Sequence, residues 1–230
     1  MGEDFIHRGS DWTVWGWRSA DEVRLQYREI AKEGVDSGYQ PEELHDLDAL
    51  LADQYVCNFS VFQSLLDHWA LKQLFPIAPL HRLNEKPTVN AILVDITCDS
   101  DGKIDRFIDL KDVRETLELH DWKDGQDYYL GIFLTGAYQE VMGSHHNLFG
   151  NPNEAQVVID NDGRYHVTKI IPGSRINDML QFARYDQPQL LESYRKQLRT
   201  QVEAGVITKE VAEELANEFD AGAQRGTYLS

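Results

Sequence analysis

The sequence is poor in cysteine and has no long apolar runs. Only Cys57 and Cys98 occur among the 230 residues, and two cysteines in a chain of this size are not a disulfide framework. Although the two could pair in principle, we expect both to be thiols in a reducing, cytoplasmic compartment. No apolar stretch of about 18 residues could span a bilayer, and no apolar signal-peptide core follows Met1.

Basic side chains are also scarce. The chain has 22 Lys and Arg against 39 Asp and Glu, which gives a formal net charge of -17. A surface that binds nucleic acid or anionic lipid needs clustered Lys and Arg, so we expect neither partner. This charge suits a cationic small molecule, although a solvated acidic surface explains the same composition.

Several common catalytic signatures are missing as well. The sequence contains no Gly-x-Ser-x-Gly elbow, phosphate-binding loop or dinucleotide fingerprint. A calcium loop with Gly102 at its sixth position would begin at Thr97 and end at Ile108, where acidic ligands are required. We therefore expect an Asp-Gly hairpin turn at this point. The neighbouring His145 and His146 diverge, so a zinc site is not expected.

The periodic patterns that are present predict an α+β chain in three segments. Residues 1–56 are predicted to form a helical hairpin, because helical spacing starts at the Ser19–Glu22 capping box and resumes after Pro41 through Tyr55. Residues 57–184 are predicted to be mainly β, with a short helix around 67–74. Residues 185–230 are predicted to form a helical appendage. The predicted strands are 91–97, 104–108, 128–135 and a hairpin of 156–159 with 165–171, and helical spacing returns at 176–183, 190–202 and 208–219.

A thiol and a carboxylate stand side by side at Cys98-Asp99, after an apolar strand. A cysteine can donate a proton near neutral pH when its surroundings adjust the pKa of the thiol from about 8.5, and the carboxylate can bind a cation. Taken alone, the pair is better explained as a buried strand cysteine followed by a turn aspartate.

Neighbouring motifs give this pair a context. Together they resemble, in order and approximate spacing, the biosynthetic arginine decarboxylases. The segments that carry the resemblance are Thr97-Cys98-Asp99-Ser100-Asp101-Gly102, Gly136-Ala137-Tyr138-Gln139-Glu140 and His146-Asn147-Leu148-Phe149-Gly150, with support from residues 58–64, 73–76, 79–83, 178–181 and 227–229.

The resemblance implies that a barrel of the alanine-racemase type precedes this region, with a lysine that binds pyridoxal 5'-phosphate, and that residues 57–184 form a β-barrel or sandwich domain. No such barrel is found in the 230 residues. By resemblance, Cys98 returns a proton to the substrate after carbon dioxide departs, Asp99 binds the distal guanidinium, and Tyr138 approaches the cofactor phosphate. The resemblance also admits Mg²⁺ as a further cofactor.

We therefore expect a lyase that converts arginine to agmatine and carbon dioxide for polyamine and spermidine biosynthesis. The chain is expected to act only with a cofactor-binding barrel from a longer parent chain or a separate polypeptide, in a homo-oligomer, and to be inactive alone. A non-catalytic assembly or regulatory module derived from the family is one alternative. A decarboxylase for another basic amino acid is a second, because Asp99 cannot distinguish guanidinium from ammonium.

Overall fold

The computed structural model describes residues 52–110 and 112–229. The chain divides into two compact units. In the first, the described residues are 52–55, 76–93 and 105–132 apart from 111; in the second they are 56–75, 94–104 and 133–229. The predicted helices within residues 1–51 lie outside the described residues.

The described part of the chain contains ten strands, most of them short. They are β1 (Asp53–Val56), β2 (Ile77–Pro79), β3 (Val89–Val94), β4 (Lys103–Ile104), β5 (Phe107–Ile108), β6 (Val113–Arg114), β7 (Leu117–Leu119), β8 (Leu130–Ile132), β9 (Glu154–Ile159) and β10 (Tyr165–Ile171). The helices are α1 (Val61–Ser64), α2 (Leu66–Leu71), α3 (Tyr138–Val141), α4 (Ile176–Phe182), α5 (Gln187–Glu203) and α6 (Lys209–Ala223), with a 3-10 turn at His146–Leu148.

The strands form small sheets. One has four strands in the order β1-β3-β4, with β7 also paired to β3, and three are two-stranded pairs of β2 with β8, β5 with β6, and β9 with β10. In the first unit, β3 and β7 are antiparallel, with Val89 opposite Leu119 and Ala91 opposite Leu117. The predicted α+β class is confirmed, and the described strands form no closed barrel.

Strand β3 illustrates why the core forms where it does. Its side chains alternate in burial, with Ala91 and Leu93 almost wholly buried, and Asp95 continues on the same buried side. In the second unit, the buried residues include Val61 and Phe62 of α1 and Leu65, which follows that helix. A carboxylate thus lies at the buried end of an apolar strand.

The C-terminal helices follow from local capping and helical periodicity. Asp186 accepts a hydrogen bond from Gln189 N–H at 2.9 Å at the start of α5, and Thr208 does the same for Val211 N–H at 3.3 Å at the start of α6. Leu191 and Leu198 are both buried on α5, two turns apart. The predicted helices after Ser174 and the β9–β10 hairpin are confirmed.

Several predicted boundaries are wrong. Tyr55 lies in strand β1 and not on a helix. The predicted strand 91–97 ends at Val94, the strand 104–108 is interrupted at Asp105-Arg106, and the strand 128–135 is reduced to Leu130–Ile132. The short helix around 67–74 is present but ends at Leu71, where Lys72 adopts a left-handed conformation with φ of 59°. The predicted division at residues 56 and 184 stays a prediction.

Candidate functional site

The Cys98-Asp99 pair lies in the loop of residues 95–102, which joins β3 to β4 in the second unit. The buried carboxylate of Asp95 anchors this loop. Its Oδ2 accepts a hydrogen bond from Val61 N–H at 2.8 Å, and its Oδ1 accepts from Thr97 N–H at 2.8 Å and from the Thr97 hydroxyl at 2.7 Å. Because Asp95 accepts hydrogen bonds from Thr97, the chain leaves the strand after Val94, and the side chain of Cys98 is exposed.

The second half of the loop is closed by Asp99 and Gly102. Asp99 Oδ1 accepts from Asp101 N–H at 2.9 Å, and Gly102 N–H donates to the Asp99 carbonyl at 3.0 Å. A Cβ at Gly102 would approach Asp95 Oδ1 to 2.2 Å, so glycine is required here by space. The hairpin connection predicted around Gly102 is present, but its loop spans eight residues and is not a tight Asp-Gly turn.

The 3-10 turn at His146–Leu148 contacts both members of the pair. Asn147 Oδ1 accepts from Cys98 N–H at 3.2 Å, and Asn147 Nδ2 lies 3.4 Å from Cys98 Sγ. His146 Nε2 lies 3.4 Å from Asp99 Oδ2. The exposed thiol and the half-buried carboxylate are therefore each held by one residue of the same turn.

Aromatic side chains pack against the 3-10 turn and the loop of residues 95–102. The His146 ring lies against the buried ring of Phe62, with centroids 4.4 Å apart, and Phe62 meets Trp69 edge-on at 5.3 Å. Trp69 Nε1 in turn donates to Asp101 Oδ2 at 3.2 Å. The loop is thus fixed at three of its carboxylates, Asp95, Asp99 and Asp101.

The end of the chain also reaches this region. Gly150, which follows the turn, donates from its N–H to Thr227 Oγ1 at 3.0 Å and accepts from the Tyr228 hydroxyl at 2.8 Å. Asn58 exchanges two hydrogen bonds with the backbone of Leu229, at 2.7 and 2.9 Å. Burial and the nearby charge of Asp95 raise the pKa of Tyr228 to about 12, so this hydroxyl stays protonated and can donate.

Tyr138 is the third residue to which the resemblance gives a role. It opens α3, where its side chain is 72% exposed. The next residue, Gln139, is buried and bonded to Asp67 through both its amide oxygen and its amide nitrogen, which fixes the position of α3. Among the described residues, no hydrogen bond or ion pair joins Tyr138 to Cys98 or Asp99.

Sequence reasoning missed three residues of this site. Asp95 falls within the predicted strand 91–97, and His146 and Asn147 enter the sequence argument only as members of a motif, apart from the zinc site that is not expected at His146. The signal for the turn was its membership in the series of motifs. Cys98 is exposed, so the interpretation of a buried strand cysteine is wrong, and neither cysteine forms a disulfide.

The chemistry that these residues offer is limited but specific. An exposed thiol can donate a proton, and the adjacent carboxylate can bind a cation. The exposed side chain of Tyr138 could donate a hydrogen bond to an anionic group such as a phosphate. Within residues 52–110 and 112–229, no three His, Cys, Asp or Glu side chains form a metal-binding group. No helix of the described residues is long and apolar enough to cross a membrane.

Known proteins resemble this chain closely. Residues 176–229 match the family described as the arginine decarboxylase C-terminal helical extension. The biosynthetic arginine decarboxylase of Deinococcus radiodurans is 48% identical over 202 residues, which are 88% of this chain and 30% of that protein. The enzyme of the same name from a Nostoc species is 45% identical over 192 residues, or 84% of this chain and 28% of that protein.

A solved structure agrees with the sequence comparisons. The crystal structure of the biosynthetic arginine decarboxylase from Campylobacter jejuni superposes with a TM-score of 0.68 and 32% identity, covering 93% of this chain and 38% of that one. The chain therefore has the fold of a segment of a decarboxylase. The resemblance to the C-terminal portion of the biosynthetic arginine decarboxylases is confirmed, and the chain spans about 30% of the length of the curated relatives named above.

Proposed function

We propose that this chain supplies part of the active site of a pyridoxal 5'-phosphate-dependent arginine decarboxylase, and that it works together with a cofactor-binding barrel. The observation that carries the proposal is the exposed Cys98 beside the half-buried Asp99, both held by the turn at His146–Leu148. A proton donor and a cation anchor presented on one rigid loop are what the second half of such a site requires.

Cys98 has the role of the proton donor in this proposal. Its exposed side chain leaves the sulfur accessible to a substrate held by a partner. The carbon that has lost its carboxylate receives the thiol proton, and solvent then returns a proton to the sulfur.

Asp99 has the role of the substrate anchor. Its Oδ1 is held by Asp101 N–H at 2.9 Å, and its Oδ2 lies 3.4 Å from His146 Nε2. Each carboxylate oxygen can accept a second hydrogen bond, so the group is oriented and still able to receive a guanidinium. Tyr138 has the role of a phosphate contact.

The partner in this proposal is the barrel of the same enzyme, as a preceding segment of a longer chain or as a separate subunit of a cytoplasmic homo-oligomer. The electron sink lies with that barrel. The chain by itself therefore has no decarboxylase activity, because a proton donor cannot lower the barrier to losing the carboxylate.

The test is reconstitution with the remaining N-terminal part of the Deinococcus radiodurans relative, followed by assay of carbon dioxide release. The mixture should release carbon dioxide from arginine in preference to lysine and ornithine, which are assayed in parallel. The chain alone should show no cofactor absorbance and release no carbon dioxide. Preference for lysine or ornithine would favour the decarboxylase for another basic amino acid. Binding to the barrel without turnover would favour the regulatory module.

Two variants test the residue roles in the reconstituted enzyme. Cys98→Ala should lower kcat by roughly 10²–10⁴-fold, as for a positioned acid, or divert protonation to the cofactor. Asp99→Ala should mainly raise KM for arginine, because losing one partner of a desolvated charge pair costs on the order of 3–5 kcal/mol. Parental kinetics in both variants would refute the assignment of Cys98 and Asp99 to the active site.

A further inference from the structure

Asn147 has an unusual backbone at the centre of the 3-10 turn. Its φ and ψ are 54° and 22°, the left-handed region that asparagine tolerates better than most residues. Leu148 N–H donates to the His145 carbonyl at 2.9 Å, and Phe149 N–H donates to the His146 carbonyl at 3.2 Å. The turn is therefore closed on itself, and the Asn147 side chain is presented from a fixed backbone.

The orientation of the Asn147 amide follows from its partner. A backbone N–H can only donate, so the atom 3.2 Å from Cys98 N is the amide oxygen. The amide nitrogen then faces Cys98 Sγ, at 3.4 Å. One planar group thus spans the backbone nitrogen and the sulfur of Cys98 and restricts the rotation of its side chain.

We propose that Asn147 is the positioning residue that holds the Cys98 thiol for proton transfer, an inference that rests on the proposed function. Asn147 Nδ2–H donates to a sulfur lone pair at 3.4 Å, and Oδ1, 3.6 Å from Sγ, can accept the S–H until substrate binds, so both atoms of the amide hold the thiol in place. In the reaction the S–H bond breaks, a C–H bond forms at the carbon that has lost carbon dioxide, and the sulfur keeps the electron pair as thiolate. Asn147 Nδ2–H then stabilises that thiolate until solvent returns the proton.

The first test needs only the purified chain and iodoacetamide. Asn147→Asp keeps the size of the side chain and its tolerance of the left-handed backbone, but places a negative charge beside the sulfur. Alkylation of Cys98 at pH 8 should slow by about fivefold or more, because two charges about 4 Å apart repel by about 1 kcal/mol even in bulk water. Asn161→Asp, at an exposed position in the β9–β10 turn, is the matched control and should alkylate at the parental rate. An unchanged rate in Asn147→Asp would overturn the contact on which the inference depends.

The second test separates positioning from a merely structural role in the reconstituted enzyme. Asn147→Gly tolerates the left-handed backbone and removes the amide, so kcat should fall by about 10²-fold, as when a reacting group is misplaced, while KM for arginine changes less than about twofold. In a Cys98→Ala background the same substitution should have no further effect on kcat, because the group that it positions is already gone.

The outcomes distinguish the two proposals. A parental complex without turnover overturns the proposed function and the catalytic role of Asn147 with it. An active parental complex in which Asn147→Gly lowers kcat equally with and without Cys98, or mainly raises KM, overturns the positioning role alone. Far-UV circular dichroism of Asn147→Gly and Asn147→Asp should match the parent, and if the glycine variant does not fold, Asn147→Asp replaces it in both backgrounds.

Discussion

The buried carboxylate of Asp95 should be the most sensitive point of the candidate site. It accepts three hydrogen bonds, from Val61 N–H, Thr97 N–H and the Thr97 hydroxyl, and its side of the strand is closed to solvent. The perturbation that isolates this role is Asp95→Asn, which keeps the shape of the side chain. An asparagine has one acceptor oxygen, so its amide nitrogen must face either Val61 N–H or the two donors of Thr97.

The magnitude can be worked from these contacts. In the better orientation the oxygen keeps both Thr97 donors, and Val61 N–H is left facing another donor, which costs about 1–3 kcal/mol for an unsatisfied buried group. The two remaining bonds change from charged to neutral acceptors and each weakens by about 1 kcal/mol. An amide is easier to desolvate than a carboxylate, which offsets part of this loss. We expect a net destabilisation of about 2–4 kcal/mol.

The assay is urea unfolding of the full chain, followed by tryptophan fluorescence and by far-UV circular dichroism. The control is Asp124→Asn, which removes the same charge at an exposed position and should shift the free energy of unfolding by less than about 0.5 kcal/mol. If Asp95→Asn unfolds at the same urea concentration as Asp124→Asn, the carboxylate does not hold the loop and the account of the site's rigidity is wrong.

Two further predictions concern thiol reactivity and alkaline stability. Burial raises the pKa of the Cys57 thiol to about 11, so iodoacetamide at pH 8 should label Cys98 and leave Cys57 largely unlabelled; equal labelling, measured by mass spectrometry of the peptides, would contradict this. Tyr228→Phe should unfold about 1 kcal/mol more easily at pH 7, because the Gly150 carbonyl loses its donor. The pKa of Tyr228 in the folded chain is raised to about 12, so the parent loses stability relative to Tyr228→Phe as the pH rises from about 10 to 12, and the gap in urea unfolding should close and then reverse over that range; a gap that widens in favour of the parent would refute the assignment.

The elements that the sequence predicts well are those whose signals are local. Helices α5 and α6 are preceded by Asp186 and Thr208, which cap them through their own side chains, and the β9–β10 hairpin turns at Asp162-Gly163. Gly163 has a φ of 78°, which glycine adopts without strain. Each of these helix starts and turns is determined by residues only a few positions apart.

The strand ends could not be predicted in the same way. Apolar residues run to Val94 and recur at Ile96, and the pattern alone therefore extends β3 to Thr97. The strand stops at Val94 because Asp95 bonds both to Thr97 and to Val61, a residue of another element. The decisive hydrogen bond joins positions far apart in the sequence, and hydrophobic periodicity carries no information about it.

The candidate site shows the same division. Cys98 and Asp99 are adjacent, so a thiol beside a carboxylate is visible in the sequence, and their proposed roles come from the family resemblance. Asn147 reaches Cys98 across 49 positions, and only the left-handed turn brings it there. The resemblance grouped these motifs correctly, but the physical link between them is a hydrogen-bond pattern that required the fold.

The contacts of Gly150 give residues 176–229 a way to affect the proposed reaction. Gly150 is bonded through its N–H to Thr227 and through its carbonyl to Tyr228, and it follows directly on the turn that carries Asn147. A Cβ at Gly150 would approach the Ser174 Cβ to 2.3 Å, so the backbone there has little freedom to move. Substitutions at Thr227 or Tyr228 should therefore loosen the turn at His146–Leu148, and they should affect the Cys98 thiol only through that turn. Their effect on the proposed reaction should appear in the placement of Cys98, and contact between Asp99 and the substrate should be altered less.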